Sequence, residues 1–194
     1  KETAQKIMKF DCDGLLFAPI FYEDSVRFLK EYEKKNIPVV MIDSNISEEN
    51  EHAYVGQDAF QSGYLAGRLI SFAVKNERQV LIFKITREIE STSVYQQRIK
   101  GFYSYFEDHN ELTHFKFSEV TLKDSGIDQL SLEMFSGVNS VFVPNSRAYI
   151  VAQFLEKNNI KGVRIIGFDL LKKNIEYLNK GVIDFLINQR SVEQ

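Results

Sequence analysis

The stretch Gly162-Val163-Arg164-Ile165-Ile166-Gly167-Phe168-Asp169 reads as a β-strand that ends on an acid. After Arg164 its residues are apolar or Gly without alternation, as expected of a strand buried on both faces of a parallel sheet. Similar short apolar runs lie on either side of it, at Gly14–Pro19, Pro38–Ile42, Val80–Ile85, Phe115–Val120, Ser140–Val143 and Ile183–Ile187. Between them fall stretches of helical character, at Glu23–Lys35, Gln61–Val74, Ser93–His109, Ile127–Met134, Arg147–Asn158 and Lys172–Asn179. Regular alternation of strand and helix means βαβ units, so the predicted class is α/β with Rossmann-like parallel sheets and helices on both faces. Asn36 with Pro38, Asn158-Asn159 and Gly181 stand where helices should stop.

The chain has 194 residues, which at ~150 residues per domain means one domain or two small lobes. Hydrophobic residues make up 44% and charged residues 26%, which excludes disordered and collagen-like chains. The net charge of −3 supplies no global field for holding nucleic acid or an anionic membrane. Cys12, the single cysteine, cannot form an internal disulfide, which is consistent with a reducing compartment. No apolar run approaches the ~20 residues of a membrane span. No Pro/Gly/Ser-rich linker divides the chain, so a lobe boundary must be made of strand crossovers. The polar, non-periodic stretch Asn45–Asp58 is predicted to carry no element and to hold a hinge near Tyr54–Gln57.

Ligands of open parallel sheets bind beyond the carboxyl ends of the strands. The residues there are Pro19–Tyr22, Asp43–Asn45, Thr86–Glu90, Asn145–Arg147, Asp169 and Asn188-Gln189. Strand ends meet water in every α/β protein, so the polarity of one such residue says little. Together, with Arg98 on the helix after the third run and Phe21 and Tyr22 as aromatic faces, they suit a polyhydroxylated ligand. Asp43 and Asp169 could also act as helix N-caps, and Arg98 is either a solvated charge or a fork aimed at hydroxyls or a carboxylate.

Several chemistries drop out. There is no Gly-x-Gly-x-x-Gly, and Phe168-Asp169 stands where a phosphate loop needs Lys-Ser/Thr. His52, His109 and His114 are isolated, and with one cysteine they give no metal-ligand spacing. Gly63-Tyr-Leu-Ala-Gly67 is predicted to permit close helix packing. No metal and no cofactor are expected.

Phe10-Asp11-Cys12-Asp13-Gly14-Leu15 resembles the nucleophile loop of haloacid-dehalogenase-like phosphatases, in which one Asp attacks phosphorus and the Asp two residues on handles the leaving-group proton. That resemblance implies Mg²⁺-dependent phosphatase activity, yet it weakens along the chain. Leu15 replaces the usual Thr or Val, and Gly167-Phe168-Asp169 interrupts the late acidic motif. It would also require the strand to be Ile7–Phe10 rather than Gly14–Pro19.

A resemblance that runs through most of the chain is to the type I periplasmic-binding-protein fold, specifically the effector-binding core of lactose-repressor-type transcriptional regulators. Asp13-Gly-Leu-Leu-Phe-Ala-Pro19, Asn36-Ile-Pro-Val-Val-Met-Ile-Asp43, Val55-Gly-Gln-Asp58, Gln97-Arg-Ile-Lys-Gly-Phe102, Val141-Phe-Val-Pro-Asn145, Ile165-Ile-Gly-Phe-Asp169 and Ile187-Asn-Gln189 carry it, in order. The family departs from this chain at Ser44 and Ser146, where Arg or Asn and Asp are usual. The resemblance implies a fragment of a two-lobed binding domain with an incomplete first lobe: residues 1–56 in the first lobe, 57–189 in the second, and 190–194 starting the crossover back. It implies a small-molecule effector, a sugar or sugar derivative, held by Asp43, Arg98, Asn145, Asp169 and Gln189, with Phe21 available to stack on a sugar face. It further implies a cytoplasmic homodimer that binds operator DNA through a missing N-terminal helix-turn-helix, has no membrane partner and is not an enzyme. A periplasmic sugar-binding protein of a transporter shares the fold and is the second reading.

Overall fold

The computed structural model describes residues 12–19, 22–46, 52–74, 78–86, 93–123 and 127–188. Its strands are β1 (Leu15–Phe17), β2 (Val39–Ile42), β3 (Ala53–Val55), β4 (Gln79–Thr86), β5 (Lys116–Lys123), β6 (Ser140–Phe142), β7 (Arg164–Phe168) and β8 (Phe185–Ile187). Its helices are α1 (Tyr22–Lys34), α2 (Ala59–Ala73), α3 (Ser93–Asp108), α4 (Ala148–Lys157) and α5 (Lys172–Asn179). The chain divides into two compact units. Lys1–Gln57, Ser91–Gln96 and Arg190–Gln194 form the first, and Asp58–Glu90 with Gln97–Gln189 form the second.

The first unit holds a parallel sheet in the order β1-β2-β3. Val39 and Met41 of β2 face Phe28, Leu29 and Tyr32 of α1, with Leu15 and Phe17 of β1 packed alongside. β3 lies inside the Asn45–Asp58 stretch, where no element is expected from the sequence. Three residues are too few to show a period, and pairing with β2 rather than patterning makes them a strand. Because β1 begins at Leu15, Asp13 precedes the strand and lies at its amino end. A phosphatase nucleophile loop needs the opposite end. Asp11 lies outside the described residues.

The second unit is a five-stranded parallel sheet in the order β5-β4-β6-β7-β8. Along β4, Val80 and Ile82 enter a cluster with Ala66 and Ile70 of α2 and Phe102, Tyr105 and Phe106 of α3. Leu81, Phe83 and Ile85 enter the opposite cluster, with Val151, Ala152 and Leu155 of α4. Both pleat directions are therefore buried, which explains the unbroken apolar runs. The predicted helix over Ile127–Met134 is instead two short 3₁₀ turns, Ile127–Gln129 and Leu132–Phe135, which bury Leu130 and Phe135 against the sheet.

Four helices end in the same way. Asn36, Asn110, Asn159 and Gly181 each lie two residues past a helix with positive φ, from 53° to 71°. The amide of each next residue reaches back five positions: Ile37 to Tyr32, Glu111 to Phe106, Ile160 to Leu155 and Val182 to Tyr177, at 2.8–3.2 Å. This is the Schellman stop, which satisfies carbonyls that the helix end would leave bare.

At the amino end of β7, the Asp184 carboxylate accepts from the Arg164 guanidinium at 2.7 Å and from the Ile165 amide at 2.9 Å. Arg164 is half-exposed, so its ion pair contributes under about 1 kcal/mol. The bond to the amide stabilises more, because an orphaned buried donor costs about 1–3 kcal/mol. Asp184→Ala is expected to lower the denaturation midpoint more than Arg164→Ala does. Equal losses in the two melts would contradict this ordering.

Candidate functional site

The strand order of the second sheet reverses between β4 and β6: the chain runs outward from β4 to β5, then returns to β6 and continues through β7 to β8. In open α/β sheets the crevice at such a switch point, at the carboxyl ends of the strands, is where ligands bind. The side chains that close over these two strand ends are Arg98 and Asn145. Asn145 follows β6, and its Nδ2 donates to the Ile85 carbonyl at the end of β4, at 2.6 Å. Its Oδ1 accepts from the Arg147 amide at 3.0 Å.

Arg98 is 4% exposed, so of the two roles open to it the solvated charge is excluded. It lies on the face of α3 that also carries Phe102 and Phe106, both fully buried, and extends that apolar face by one turn. Its guanidinium carbon sits 3.8 Å from the centroid of the Phe168 ring, and its Nη1 donates to the Pro144 carbonyl at 3.0 Å. Stacking on a ring and bonding to a strand-end carbonyl together fix the plane of a group whose donors form a rigid fork. Gly63 of α2 and Gly101 of α3 let the two helix backbones meet. A Cβ at Gly63 would stand 1.9 Å from the Arg98 carbonyl oxygen, and one at Gly101 would stand 2.0 Å from that of Phe60. The small-residue spacing therefore serves close helix packing, as expected.

Asp169 follows β7 with φ of 66°, and Asp43 follows β2 with φ of 65°. Each donates its amide to the last residue of the next strand, Asp169 to the Ile187 carbonyl at 3.0 Å and Asp43 to the Val55 carbonyl at 3.2 Å. The same local device thus recurs in both units. Positive φ is uncommon for a non-glycine residue, and such strain collects at functional sites. At Asp43 the turn is tighter still, because the Ser44 amide donates to the Ile42 carbonyl at 2.7 Å, a three-residue turn around a left-handed centre. Neither acid caps a helix: Asp58 caps α2, accepting from the Gln61 amide at 2.9 Å, and Leu171 occupies the cap position of α5. The buried Ser44 hydroxyl donates to the Pro19 carbonyl at 3.0 Å, joining the ends of β1 and β2. Phe21 and Gln189 lie outside the described residues.

Asn174, beside these strand ends, is a residue that the sequence pattern does not single out. It occupies the first turn of α5 and is fully buried. Its Oδ1 accepts from the Tyr149 amide at 2.9 Å, and its Nδ2 lies 3.0 Å from the carbonyls of Ser146, Phe168 and Asp169. A polar residue inside an otherwise helical pattern looks solvated, and only its burial distinguishes it. Among the described residues no group of His, Cys, Asp and Glu could hold a metal ion, and no helix is long and apolar enough to cross a membrane.

The family model described as periplasmic binding protein domain matches residues 2–194. Among solved structures, the chain is similar to a protein assigned as a LacI transcriptional regulator from Bacteroides fragilis, with 27% identity and a TM-score of 0.83 over 97% of this chain and 67% of that one. It is similar to GanP, a glucose-galactose binding protein from Geobacillus stearothermophilus, with 27% identity and a TM-score of 0.81 over 99% of this chain and 69% of that one. A solute binding protein of an ABC transporter from Burkholderia graminis, in complex with D-arabinose, shares 20% identity and the fold, with a TM-score of 0.82 over 99% of this chain and 68% of that one. The chain thus spans about two thirds of the length of these structures. No curated protein sequence matches it significantly.

Proposed function

We propose that this chain, which belongs to the periplasmic binding protein domain family, is the carbohydrate-sensing part of a bacterial transcriptional regulator. The fold is the type I periplasmic-binding-protein fold, and the family consists of binding proteins rather than enzymes. The observation that carries the reading is Arg98, buried at the switch point between β4 and β6, stacked on Phe168 and bonded to Pro144 beside Asn145.

A sugar presents hydroxyls that both donate and accept, with apolar C–H faces between them. Arg98 offers only donors, ionised Asp169 only acceptors, and Asn145 both. Asn145 spends one N–H and one lone pair on backbone partners, and a ligand would take the second of each. Asp43 is the proposed contact from the first unit, with Phe21 and Gln189 as further contacts. In the full-length protein a helix-turn-helix headpiece would read operator DNA as a homodimer in the cytoplasm, and the sugar would act by differential affinity for two conformations.

A second reading, a binding protein that feeds a sugar transporter, has equal support from identity: GanP, a glucose-galactose binding protein, and the regulator both stand at 27% to this chain. The coding sequence upstream separates the two. A headpiece supports the regulator, whereas a charged start with an apolar core of about 7–15 residues supports the transporter protein.

Calorimetric titration with D-glucose, D-galactose and D-arabinose tests the carbohydrate reading itself. The sharper form uses Asp169→Asn, because Asn tolerates the left-handed backbone while removing the charge. It is expected to melt like the parent chain and to bind about tenfold more weakly, the loss of a charge-assisted hydrogen bond. Unchanged affinity would take Asp169 out of the site.

A further inference from the structure

We infer that Asn174 is a positioning residue of the ligand face: it joins the loop after β6 to the loop after β7 and sets the Asp169 carboxylate against Asn145 without touching the ligand. The inference rests on the carbohydrate reading and assigns that site a residue which sets its affinity.

Asn174 is fully buried, so its side chain has no route to a ligand unless the loops open. What it holds is specific. Ser146, whose carbonyl it binds, is the neighbour of Asn145, and Phe168 is the ring beneath the Arg98 guanidinium. Asp169 is gripped at both backbone groups: its amide donates to Ile187, and its carbonyl accepts from Asn174. A residue at positive φ returns to ordinary backbone unless its surroundings overdetermine it, and these two bonds are that overdetermination.

The chemistry required is narrow. One side chain must accept from the Tyr149 amide and also donate to three carbonyls. With two N–H groups for three acceptors, one of them is shared. Aspartate keeps the acceptor but has no donor when ionised, and it would face three carbonyl oxygens. Leucine supplies neither, and glutamine carries the amide one methylene too far. The tie therefore depends on the amide itself rather than on the volume it fills.

The test uses the 194-residue chain with Asn174→Asp and Asn174→Ser, each singly and combined with Asp169→Asn. D-galactose and D-glucose serve as calorimetric probes. Asn174→Asp is expected to fold and to bind the preferred sugar about tenfold more weakly, equivalent to one hydrogen bond. In the Asp169→Asn background the same change should cost less than about twofold, because its effect passes through Asp169. Additive losses in the two backgrounds, or parental affinity in a folded variant, would overturn the inference. Asn174→Ser, which retains a hydroxyl donor of shorter reach, applies the same criterion if the aspartate variant does not fold.

Amide hydrogen exchange keeps the outcome separable from the sugar reading. If the parent chain binds no probe, the carbohydrate reading fails, and the inference is judged on exchange alone. Loss of the tie should then speed exchange at Tyr149, Arg147 and Asp169 together. Acceleration confined to Tyr149, whose bond is removed directly, would mean that the two loops are not joined through Asn174.

Discussion

Gly63→Val should cost the second unit about 3 kcal/mol or more, at the upper end of what overpacked cores lose. For a chain of this size that corresponds to a fall in melting temperature of roughly 6–12 °C. The reason lies in which atoms collide. A Cβ at Gly63 would stand 1.9 Å from the Arg98 carbonyl oxygen and 2.7 Å from the Arg98 carbonyl carbon and Cα. These are backbone atoms of α3 and cannot rotate aside, so α2 and α3 must part. Phe60 against Gly101, and Phe102 against Gly67 at 2.8 Å, carry the same contact further along the crossing. Separation would lift the helix that bears Arg98 from Phe168, so binding is expected to disappear with stability. Gly162→Ala is the control. It has φ of 82° and nothing within 4 Å of an added Cβ, so its cost is only the left-handed backbone, about 1–2 kcal/mol. If Gly63→Val melts within about 2 °C of the parent chain, the helices do not depend on this approach.

The difference between the two glycines also shows what could be read from the chain. Runs such as Val80–Ile85 and Val163–Phe168 identify buried strands because both faces of a parallel sheet must be apolar, and that demand is written in consecutive residues. Helix stops at Asn36, Asn159 and Gly181 are equally visible, because few residue types tolerate positive φ. The order of strands is different: it depends on crossovers that leave no local mark, so the switch point between β4 and β6 emerges only from the fold. β3 is hidden because three residues have no period, and the Ile127–Met134 segment misleads because Ile127, Leu130 and Met134, which pack against the sheet from a pair of 3₁₀ turns, recur at helical spacing. Strand-end acids were visible, but their left-handed conformation was not. Asn174 is hidden most completely, since its significance lies in four partners drawn from two loops, one helix and the end of β7.

Arg98 is where spacing leaves two roles open and burial removes one of them, the solvated charge, and its replacement should have the largest effect on binding. Arg98→Met keeps an unbranched stem of similar length over Phe168 but removes the charge and the fork. It is expected to weaken sugar binding by about 2 kcal/mol or more, roughly 30-fold. Stability should change less. The Pro144 carbonyl loses its 3.0 Å donor, while the apolar replacement no longer has to hold a cation inside the fold, and these opposing effects are of similar size. Arg98→Lys is the more informative variant. It retains the charge, but an ammonium is a compact point donor that cannot lie flat on Phe168 while bonding to Pro144 and a ligand together. Arg98→Lys should therefore bind nearly as weakly as Arg98→Met. Parental affinity in Arg98→Lys would mean that only charge matters at this position. Parental affinity for D-glucose and D-galactose in Arg98→Met would remove the guanidinium from the site and leave it as a brace between α3 and the end of β6.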